Sequence, residues 1–507
     1  MRRIVRGICA LLAVLAVATS AAGAYKASPV KTSTGRLDTG FIYVPWGSPE
    51  QDAIQFERMK AAGASFVRIN AVWAYIAPSG KTMPAGFHPT DPADPLYTWS
   101  GLDTVVRAAT TAGLQPMLAI LQAPIWAQGT ASTRPSGPGG YKPSVTQFKN
   151  FVTAAATRYS GSFESLPRVR YWAIWNEPNM IWFLSPQMTG TSLTSALTYR
   201  KMLNAGAAVI HGVSSSNVVI AGETSPFGGP SRNRMKPLGF MRKVLCVSEK
   251  QVRKVWIYKS ACKTRVEFDV WSQHPYTEGG PTRKANRHGD VPFGNMSDMR
   301  AVLNTAIRAN HVKAGKVRLW ITEFSWDSKP PDPKGVPTQL EARWVSEALY
   351  RSWRTGVSLL VWFLVRDQPF PASYFQSGLY TISKSDPENV ALDKAKSALT
   401  AFRFPFVALP DKSKKSISVW GRTPKSKAGR VNIQRKSGGA WKLVKTLNAN
   451  SYGIFRAQIP KPANTTYLRA RLADGSDVSL SFSLVAPTKI WDGCAFGTGC
   501  YKNNPAK

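Results

Sequence analysis

Histidine, cysteine and long apolar runs are scarce in this sequence of 507 residues. It has five histidines and five cysteines, and none of them has the close Cys and His spacing of a structural zinc site. The sequence therefore predicts no metal and no cofactor. Beyond the N-terminal region, no segment is both uncharged and predominantly apolar over the roughly 20 residues that a membrane-spanning helix needs, so no transmembrane segment is expected.

Acidic residues are also few, with 29 Asp and Glu against 66 Lys and Arg, which gives a formal net charge of +37. A field of this size concentrates polyanions near a protein surface. No helix-turn-helix, RNP-like or finger pattern accompanies the charge, which argues against specific nucleic-acid binding. Binding to an anionic cell-envelope polymer, binding to nucleic acid through charge alone and a simply solvated basic surface all remain open.

The first 24 residues have the pattern of a secretory signal peptide. Arg2, Arg3 and Arg6 precede an apolar stretch that ends in the small residues 22–24, where signal peptides are cleaved. We therefore expect a secreted, extracellular protein. Cys9 lies within the apolar stretch and not directly before the cleavage site, which disfavours a lipid-modified start.

The four remaining cysteines are an even number in a chain predicted to be exported. Exported proteins form disulfides in oxidising compartments. We predict two local pairs, Cys246 with Cys262 and Cys494 with Cys500.

Eight short β-rich runs alternate with amphipathic helical stretches between residues 39 and 404. This alternation is typical of parallel βαβ units, and eight units favour an α/β fold with a closed (β/α)8 TIM barrel over an open sheet. The segments MKAAG and ATTAG each predict a helix that stops at a glycine just before a strand. The predicted strands are residues 40–44, 65–70, 115–121, 169–175, 217–222, 266–272, 316–322 and 358–365.

Alternating strand-like runs without helices predict a small C-terminal β-sandwich over residues 405–490. An N-terminal linker over 25–38 and a C-terminal tail over 491–507, with its local disulfide, complete the predicted organisation. Residues 401–507 contain 19 Lys and Arg against 4 Asp and Glu. The sandwich is therefore the best candidate for holding a polyanion, although packing against the barrel is the more frequent role of such a domain.

Two predicted barrel strands, the fourth and the seventh, are followed within two residues by a glutamate. The segments are WAIWNEPN, which contains Glu177, and LWITEFSW, which contains Glu323. Barrel enzymes place catalysis where strands give way to loops at the C-terminal face. Cleavage of a glycosidic bond requires two carboxyl groups there, one protonated to assist the leaving oxygen and one ionised to act at the anomeric carbon.

The WNEPN and ITEF segments resemble the acid/base and nucleophile motifs of glycoside hydrolase clan A, and the resemblance spans residues 39–402. Within the clan, family 39 and its neighbours are most similar, with family 5 a near rival. The resemblance implies a retaining double displacement with Glu177 as acid/base and Glu323 as nucleophile. Family 5 usually has a histidine after strand three, whereas this chain has Gln122-Ala123-Pro124, which weakens a cellulase-like assignment.

The resemblance also implies roles for side chains at other strand ends. Asn176 resembles the asparagine that hydrogen-bonds the sugar 2-hydroxyl. His274 and Tyr276 match a His-x-Tyr motif in which the hydroxyl contacts the nucleophile, and Arg68 resembles an arginine beside that nucleophile. Trp362 matches an aromatic floor under the reactive sugar, and the further candidates for substrate contact are Trp126, Trp326, Asn70, Trp73 and Asp367.

Two other carboxylates at predicted strands receive structural interpretations. Glu223, after the fifth strand, is the main rival to the predicted pair and is interpreted as a structural or sugar-binding group. Asp269 falls in the middle of the predicted sixth strand and is interpreted as a hydrogen-bonding group of the barrel interior.

The function expected from these features is a secreted retaining glycoside hydrolase that acts on a polysaccharide or oligosaccharide. A transglycosidase would use the same residues with a sugar in place of water as acceptor. The alternative of a different class is a non-catalytic, basic protein that binds cell-wall glycan through a degenerate barrel.

Overall fold

The computed structural model of the chain describes residues 27–33, 35–130, 137–229 and 233–485. The predicted signal peptide and the predicted Cys494–Cys500 disulfide lie outside these residues. Within the predicted linker, Val30 is packed on the barrel, because its N–H donates to Asn304 Oδ1 at 2.7 Å.

Eight parallel strands close into a barrel, which confirms the predicted fold class. Each strand pairs with its neighbours in the sequence, and the last pairs with the first, where Thr39 lies opposite Leu360. The strands are β1 (Asp38–Ile42), β2 (Phe66–Val72), β3 (Gln115–Leu121), β4 (Tyr171–Ile174), β5 (Val218–Thr224), β6 (Val270–Gln273), β7 (Arg318–Phe324) and β8 (Val357–Trp362).

Helices connect the barrel strands. The two predicted helix stops are confirmed, since Gly63 and Gly113 have φ of 84° and 74°, a left-handed conformation that glycine adopts without steric cost. The helices are α1 (Pro49–Ala61), α2 (Trp73–Ile76), α3 (Ser100–Thr111), α4 (Val145–Arg158), α5 (Thr194–Val213), α6 (Pro237–Leu245), α7 (Met296–Arg308), α8 (Thr338–Thr355) and α9 (Ser397–Arg403), with 3-10 turns at Ile125–Ala127, Phe293–Asn295, Val390–Leu392 and Pro424–Ser426.

The predicted sixth strand is divided in the structure. Val266–Glu267 pairs with Val312–Lys313 outside the barrel, and the barrel strand begins only at Val270. Asp269 therefore precedes β6, where its carboxylate accepts from the Val219 N–H at 2.8 Å and lies 3.0 Å from a ring nitrogen of His211. The interpretation of Asp269 as a mid-strand group of the barrel interior is wrong.

An apolar layer fills the barrel below its mouth. In that layer the rings of Phe66 and Tyr171 meet edge to face, with their centroids 4.9 Å apart. Side chains two residues apart on a strand point the same way, so Arg68, like Phe66, points into the barrel and lies nearer its mouth. The layer consists of Ile42, Phe66, Met117, Ala119, Tyr171, Ala173, Val218, Ile220, Val270, Trp320, Leu359 and Val361.

Two antiparallel sheets follow the barrel and confirm the predicted β-sandwich. Val431 and Ile433 are buried and alternate with more exposed neighbours, as expected for a sheet with one face in a core. The strands are β9 (Phe406–Pro410), β10 (Ser416–Arg422), β11 (Gly429–Ser437), β12 (Ala440–Ala449), β13 (Ile454–Pro460), β14 (Tyr467–Leu472) and β15 (Phe482–Ser483). The sheet orders are β9-β10-β13 and β12-β11-β14-β15.

A buried arginine joins the sandwich to the first barrel strand. Arg422, at the end of β10, donates to the Leu37 carbonyl at 3.0 Å and to Thr39 Oγ1 at 3.2 Å. The two units therefore share a polar contact that water does not reach.

A disulfide joins Cys246 to Cys262, with the Cα atoms 5.6 Å apart, which confirms one of the two predicted pairs. It closes the antiparallel hairpin of Val247–Val252 and Val255–Ser260. The remaining short strand pairs are Ser328–Lys329 with Val336–Pro337 and Tyr380–Thr381 with Lys394–Ala395. None of the helices in the described ranges is long and apolar enough to cross a bilayer.

Candidate active site

Glu177 and Glu323 lie together at the barrel mouth, where β4 and β7 end. One carboxylate oxygen of each residue and a ring nitrogen of His274 all lie within 4.8 Å of one another. The side chains of Glu177 and Glu323 are 13% and 17% exposed. Both carboxyl groups are therefore largely enclosed by protein and still reachable from the mouth.

Local departures from regular strand geometry bring these two carboxyl groups together. Trp175 and Glu177 have φ of 67° and 38°, values that non-glycine residues adopt rarely and at a cost in free energy. In β7 the register against β8 shifts between Ile321 and Phe324. Because Trp320 belongs to the interior layer, strict alternation would turn Glu323 away from the interior, and the irregularity turns it back.

A hydroxyl donor and a guanidinium lie beside the carboxylate of Glu323. The Tyr276 hydroxyl donates to Glu323 Oε1 at 3.0 Å, and an Arg68 guanidinium nitrogen lies 3.7 Å from Glu323 Oε2. Burial, together with the charges of Glu323 and Glu177, raises the pKa of Tyr276 well above its usual value. The phenol therefore keeps its proton and remains a donor to the carboxylate.

The environment of Glu177 shifts its carboxyl group towards the protonated form. Burial raises its pKa, and the charge of Glu323 adds to this effect, whereas the hydrogen bond from His274 opposes it. That bond joins His274 Nδ1 to Glu177 Oε1 at 3.1 Å. Burial disfavours a charged His274 ring, but the charge of Glu323 and the contact with Glu177 raise the net pKa of the ring.

Arg68 and Glu223 form a buried ion pair beneath the two glutamates. Arg68 Nη2 lies 2.8 Å from Glu223 Oε2 and donates to Asn176 Oδ1 at 2.8 Å. The resemblance places Arg68 beside the nucleophile, but its shortest contact to a carboxylate is with Glu223. Because Glu223 is 0% exposed, a substrate does not reach it. With its oxygen bound to Arg68, the Asn176 amide has its N–H donors for other partners.

Three of the four tryptophans predicted to contact substrate, Trp362, Trp326 and Trp126, pack within the protein. Trp362 is 1% exposed, and its indole N–H donates to the Ser377 carbonyl at 2.7 Å. Trp326 is buried and donates to the Gly279 carbonyl at 3.0 Å, and the half-buried Trp126 donates to the Pro78 carbonyl at 2.7 Å. Their sugar contacts stay predictions.

The other three candidates for substrate contact lie in different places. Asn70 is exposed, and its Oδ1 accepts from Arg68 Nη1 at 3.1 Å, so it borders the site. Trp73 is fully buried, and Asp367 is buried against Lys396 Nζ at 2.7 Å. The structure therefore brings only Asn70 of these three to the site.

The sequence did not predict the aromatic rings that are exposed in the segments after β2, β4 and β8. Trp182 follows Glu177 by five residues and is 57% exposed, and Tyr75 and Tyr374 are also exposed. The sequence signal that could have found them is a tryptophan in a segment that has neither helical nor strand periodicity. These rings, unlike Trp362, offer their faces to solvent.

Comparison with known proteins gives structural similarity at low sequence identity. No family model and no curated protein matches the chain. A solved family 39 glycoside hydrolase from the gut symbiont Bacteroides cellulosilyticus WH2 aligns over 84% of this chain and 81% of its own, with 15% identity and a TM-score of 0.49. A family 39 enzyme from Xanthomonas axonopodis pv. citri aligns over 86% and 93%, with 13% identity and a TM-score of 0.48.

A glycoside hydrolase family 30 subfamily 8 xylanase from Clostridium acetobutylicum aligns over 85% of this chain and 95% of its own. The identity is 13% and the TM-score 0.42. The assignment of the barrel fold to this chain rests on its own strand order.

Glu177, His274 and Glu323 are, within the described ranges, the one group of three whose ligand atoms are spaced as metal ligands are. Arg68 and Tyr276 already supply positive charge and a hydrogen bond to Glu323. This donor set resembles a proton-transfer site more than a metal centre, because zinc sites surround a cation with neutral or anionic ligands and lack a competing guanidinium.

A second ionisable cluster lies in the loops after β7 and β8 and at the start of α8. Lys396 Nζ contacts Asp367 Oδ1 and Ser328 Oγ, each at 2.7 Å. Glu341 is fully buried, and neither of its carboxylate oxygens has a hydrogen-bond partner among the described residues. Burial raises the pKa of Glu341 to about 8. The charge of Lys396 lowers this pKa, and the charges of Asp367 and Asp327 raise it.

Glu341→Gln should flatten the dependence of stability on pH. With its pKa raised from 4.5 to about 8, the folded protein holds a proton that the unfolded chain releases. The wild type therefore loses free energy of unfolding as pH rises from 4.5 to 8, by on the order of 4 kcal/mol from this group. Urea unfolding at pH 5, 6, 7 and 8 measures how the free energy of unfolding changes with pH. Because glutamine is neutral at each of these pH values, Glu341→Gln should remove this contribution.

Glu347→Gln is the matched control for this prediction, because Glu347 lies on the same helix but pairs with Arg343 at 2.9 Å. Glu347→Gln should leave the change of the free energy of unfolding with pH as it is in the wild type. Parallel curves for wild type and Glu341→Gln would contradict the prediction.

Proposed function

We propose that the chain is a secreted retaining glycoside hydrolase that cleaves O-glycosidic bonds in a polysaccharide or oligosaccharide. The observation that carries this proposal is the pair of carboxyl groups at the mouth, with oxygens of Glu177 and Glu323 within 4.8 Å. Retaining enzymes hold the two groups about 5 to 5.5 Å apart, whereas inverting enzymes need about 6.5 to 9.5 Å to admit a water. The short separation supports double displacement.

In the first step, Glu323 attacks the anomeric carbon while Glu177 donates its proton to the departing oxygen. The Tyr276 hydroxyl donates to Glu323 and the Arg68 guanidinium lies beside it, while burial raises the pKa of Glu177. The glycosidic C–O bond breaks, an ester to Glu323 forms, and the leaving group departs as a neutral alcohol. An N–H of Asn176 is positioned to bind the neighbouring sugar hydroxyl as charge develops.

In the second step, water cleaves the ester. Once Glu323 is esterified, its negative charge is gone, which removes the repulsion that helped to raise the pKa of Glu177. Glu177 then ionises more readily and accepts a proton from the water that attacks the anomeric carbon. The product leaves with its original anomeric configuration, and both carboxyl groups return to their initial states.

Exposed aromatic side chains support an extended substrate. Trp182 and Tyr75 are in segments, a loop and the short helix α2, that follow two barrel strands with ends at the mouth. Aromatic faces of this kind bind the apolar C–H faces of sugar rings. A chain of several sugars would contact more of them than a single sugar bound to the glutamates.

Secretion is the part of the proposal that rests on the N-terminus and on cysteine chemistry. The first 24 residues have the charge, apolar core and small-residue end of a signal peptide. The Cys246–Cys262 disulfide is typical of proteins that fold in an oxidising compartment.

The stereochemistry of the first product tests the proposed mechanism. A set of aryl glycosides and cell-envelope polysaccharides identifies a substrate, and proton NMR of the initial product then reports the anomer. We expect retention, and an initially inverted product would overturn double displacement. No turnover on any member of the set would favour the non-catalytic glycan-binding alternative, and products longer than the substrate would indicate a transglycosidase.

Glu177→Gln should separate the two steps. Hydrolysis of substrates with poor leaving groups should fall by about 10²- to 10⁴-fold, since these need a proton from the acid. Dinitrophenyl glycosides need no such proton and should still form the intermediate, so added azide should restore turnover and give a glycosyl azide of retained configuration. Equal losses on both kinds of substrate, without azide rescue, would contradict the assignment of Glu177 as acid/base.

A further inference from the structure

The disulfide-closed hairpin of Val247–Val252 and Val255–Ser260 exposes apolar side chains. Val252 lies opposite Val255 beside the turn, and Ile257 follows two residues later on the same face. Val255 is 61% exposed, and Val252 and Ile257 are each 39% exposed. Single exposed apolar side chains need no explanation, whereas three adjoining ones at the end of a hairpin are a candidate contact surface. We call these three side chains the apolar tip.

The opposite face of this hairpin is packed against the protein. Tyr258 packs on the hydrophobic core, and the Trp256 ring stacks on His288 with the ring centroids 3.6 Å apart. Glu249 contacts the same histidine at 2.9 Å. A two-stranded hairpin alone is only marginally stable, so these contacts and the disulfide at the base hold it in place. The apolar tip is therefore presented to solvent on a fixed support.

Four cations accompany the apolar tip. Lys250 and Lys259 are on the same face of the hairpin, and both are exposed, as are Arg253 and Lys254 of the turn. Glu249 is the single acidic residue of the hairpin, and it belongs to the opposite face. The exposed face therefore combines apolar side chains with positive charge and has no carboxylate of its own.

The turn of the hairpin has an unusual sequence for its conformation. Its two residues, Arg253 and Lys254, have φ of 46° and 65°. A two-residue hairpin turn with positive φ at both positions is of type I′, which favours asparagine and glycine. Other side chains adopt this conformation at a cost in free energy. The chain thus places two cations where folding alone favours Asn-Gly, which indicates that their charge has a use beyond the fold.

We propose that this hairpin docks the protein on a bilayer surface that carries anionic phospholipids. Val252, Val255 and Ile257 enter the boundary between headgroups and acyl chains, and the lysine and arginine side chains bind the phosphate groups. A soluble polyanion would use the cations but leave the apolar tip in water, and a second copy of this face would bring like charges together. The docking does not depend on the proposed glycosidase activity, because none of these residues belongs to the barrel mouth.

Entry of the apolar tip into a bilayer is measured on the full chain with a fluorescent reporter. Val255→Cys, labelled with the solvent-sensitive dye NBD, is mixed with phosphatidylcholine vesicles that contain about 30% phosphatidylglycerol or none. The anionic vesicles should shift the NBD emission to shorter wavelength. Leu443→Cys is the control, because Leu443 is 60% exposed on the sandwich, and its emission should not shift. Equal shifts at both positions, or none at Val255→Cys, would overturn the proposal.

Arg253→Asn combined with Lys254→Gly should weaken binding to the anionic vesicles by about 10-fold or more, measured by vesicle flotation. The new pair suits a type I′ turn, so the thermal midpoint should not fall. Lys412→Asn combined with Lys414→Gly is the matched control. Both lysines are exposed between β9 and β10, and Lys414 also has a positive φ of 57°. If both double variants weakened binding equally, general basic charge would explain it and the proposal would fail.

Two further measurements separate this proposal from its alternatives. If Arg253→Asn with Lys254→Gly weakens binding to heparin, a soluble polyanion, as strongly as binding to vesicles, while the NBD emission of Val255→Cys stays unshifted, the hairpin binds anionic polymers and not a bilayer. The same double variant should hydrolyse small aryl glycosides at the wild-type rate. Failure of the docking and failure of the proposed activity are therefore distinguishable.

Discussion

Glu323→Gln should lower kcat on the best aryl glycoside by about 10⁴-fold or more, since it removes the attacking oxygen anion from a double displacement. Glutamine has the same shape and can still accept the hydrogen bond from Tyr276. The thermal midpoint should therefore change little while turnover disappears. Stopped assays over hours are needed to quantify the residual rate.

Two further variants test the assignment of Glu323 as nucleophile: one that azide can rescue, and a control at a distant glutamate. Glu323→Gly with added azide should form a glycosyl azide of inverted configuration, because the small anion attacks from the side that the carboxylate occupied. Glu50→Gln, at an exposed site in the first turn of α1, should keep the wild-type rate. If Glu323→Gln retained more than about one hundredth of the wild-type kcat, Glu323 would not be the nucleophile.

Arg68→Met should lower the free energy of unfolding by about 3 to 5 kcal/mol, the cost of removing one partner of a buried ion pair. Glu223, 0% exposed, would be left without the cation that compensates its charge. Methionine fills much of the space of the arginine chain, so the loss reports the charge more than a cavity. Urea unfolding monitored by tryptophan fluorescence measures it.

Two further variants show whether the ion pair is the cause of this loss. Arg68→Met combined with Glu223→Gln removes both charges and should recover part of the stability. Lys313→Met breaks the exposed pair with Glu267, in which the lysine side chain is 64% exposed, and should cost no more than about 1 kcal/mol. If Arg68→Met were no worse than Lys313→Met, Glu223 would be accommodated in another way, for example by binding a proton.

The barrel could be predicted because its signals are local. Apolar runs alternating with helical patterns, and glycines such as Gly63 at helix ends, specify each βα unit without reference to distant residues. The divided sixth strand could not be predicted, because Val266 and Asp269 belong to one continuous strand-like run. Only the pairing of Val266–Glu267 with Val312–Lys313, some 46 positions later, separates them.

The candidate site could be predicted in outline for a similar reason. A carboxylate that ends an apolar strand is visible in the sequence, and Glu177 and Glu323 both meet that description. Their approach depends on a register shift in β7 and on the positive φ of Glu177, which no local pattern encodes. Nor does the sequence reveal which aromatic rings are covered, because the burial of Trp362 and the exposure of Trp182 are decided by tertiary packing.

The contact between Arg422 and Leu37 has a consequence for folding during synthesis of the chain. The arginine donor lies 385 positions after the carbonyl that it satisfies, so a ribosome completes the first barrel strand long before its partner exists. Until then the Leu37 carbonyl depends on water, and its burial without a donor carries a desolvation penalty. The barrel therefore reaches its final state only after synthesis of the sandwich. In a protein that carried this barrel beside a different domain, a new partner that covered the Leu37 carbonyl would have to supply a hydrogen-bond donor in place of that guanidinium.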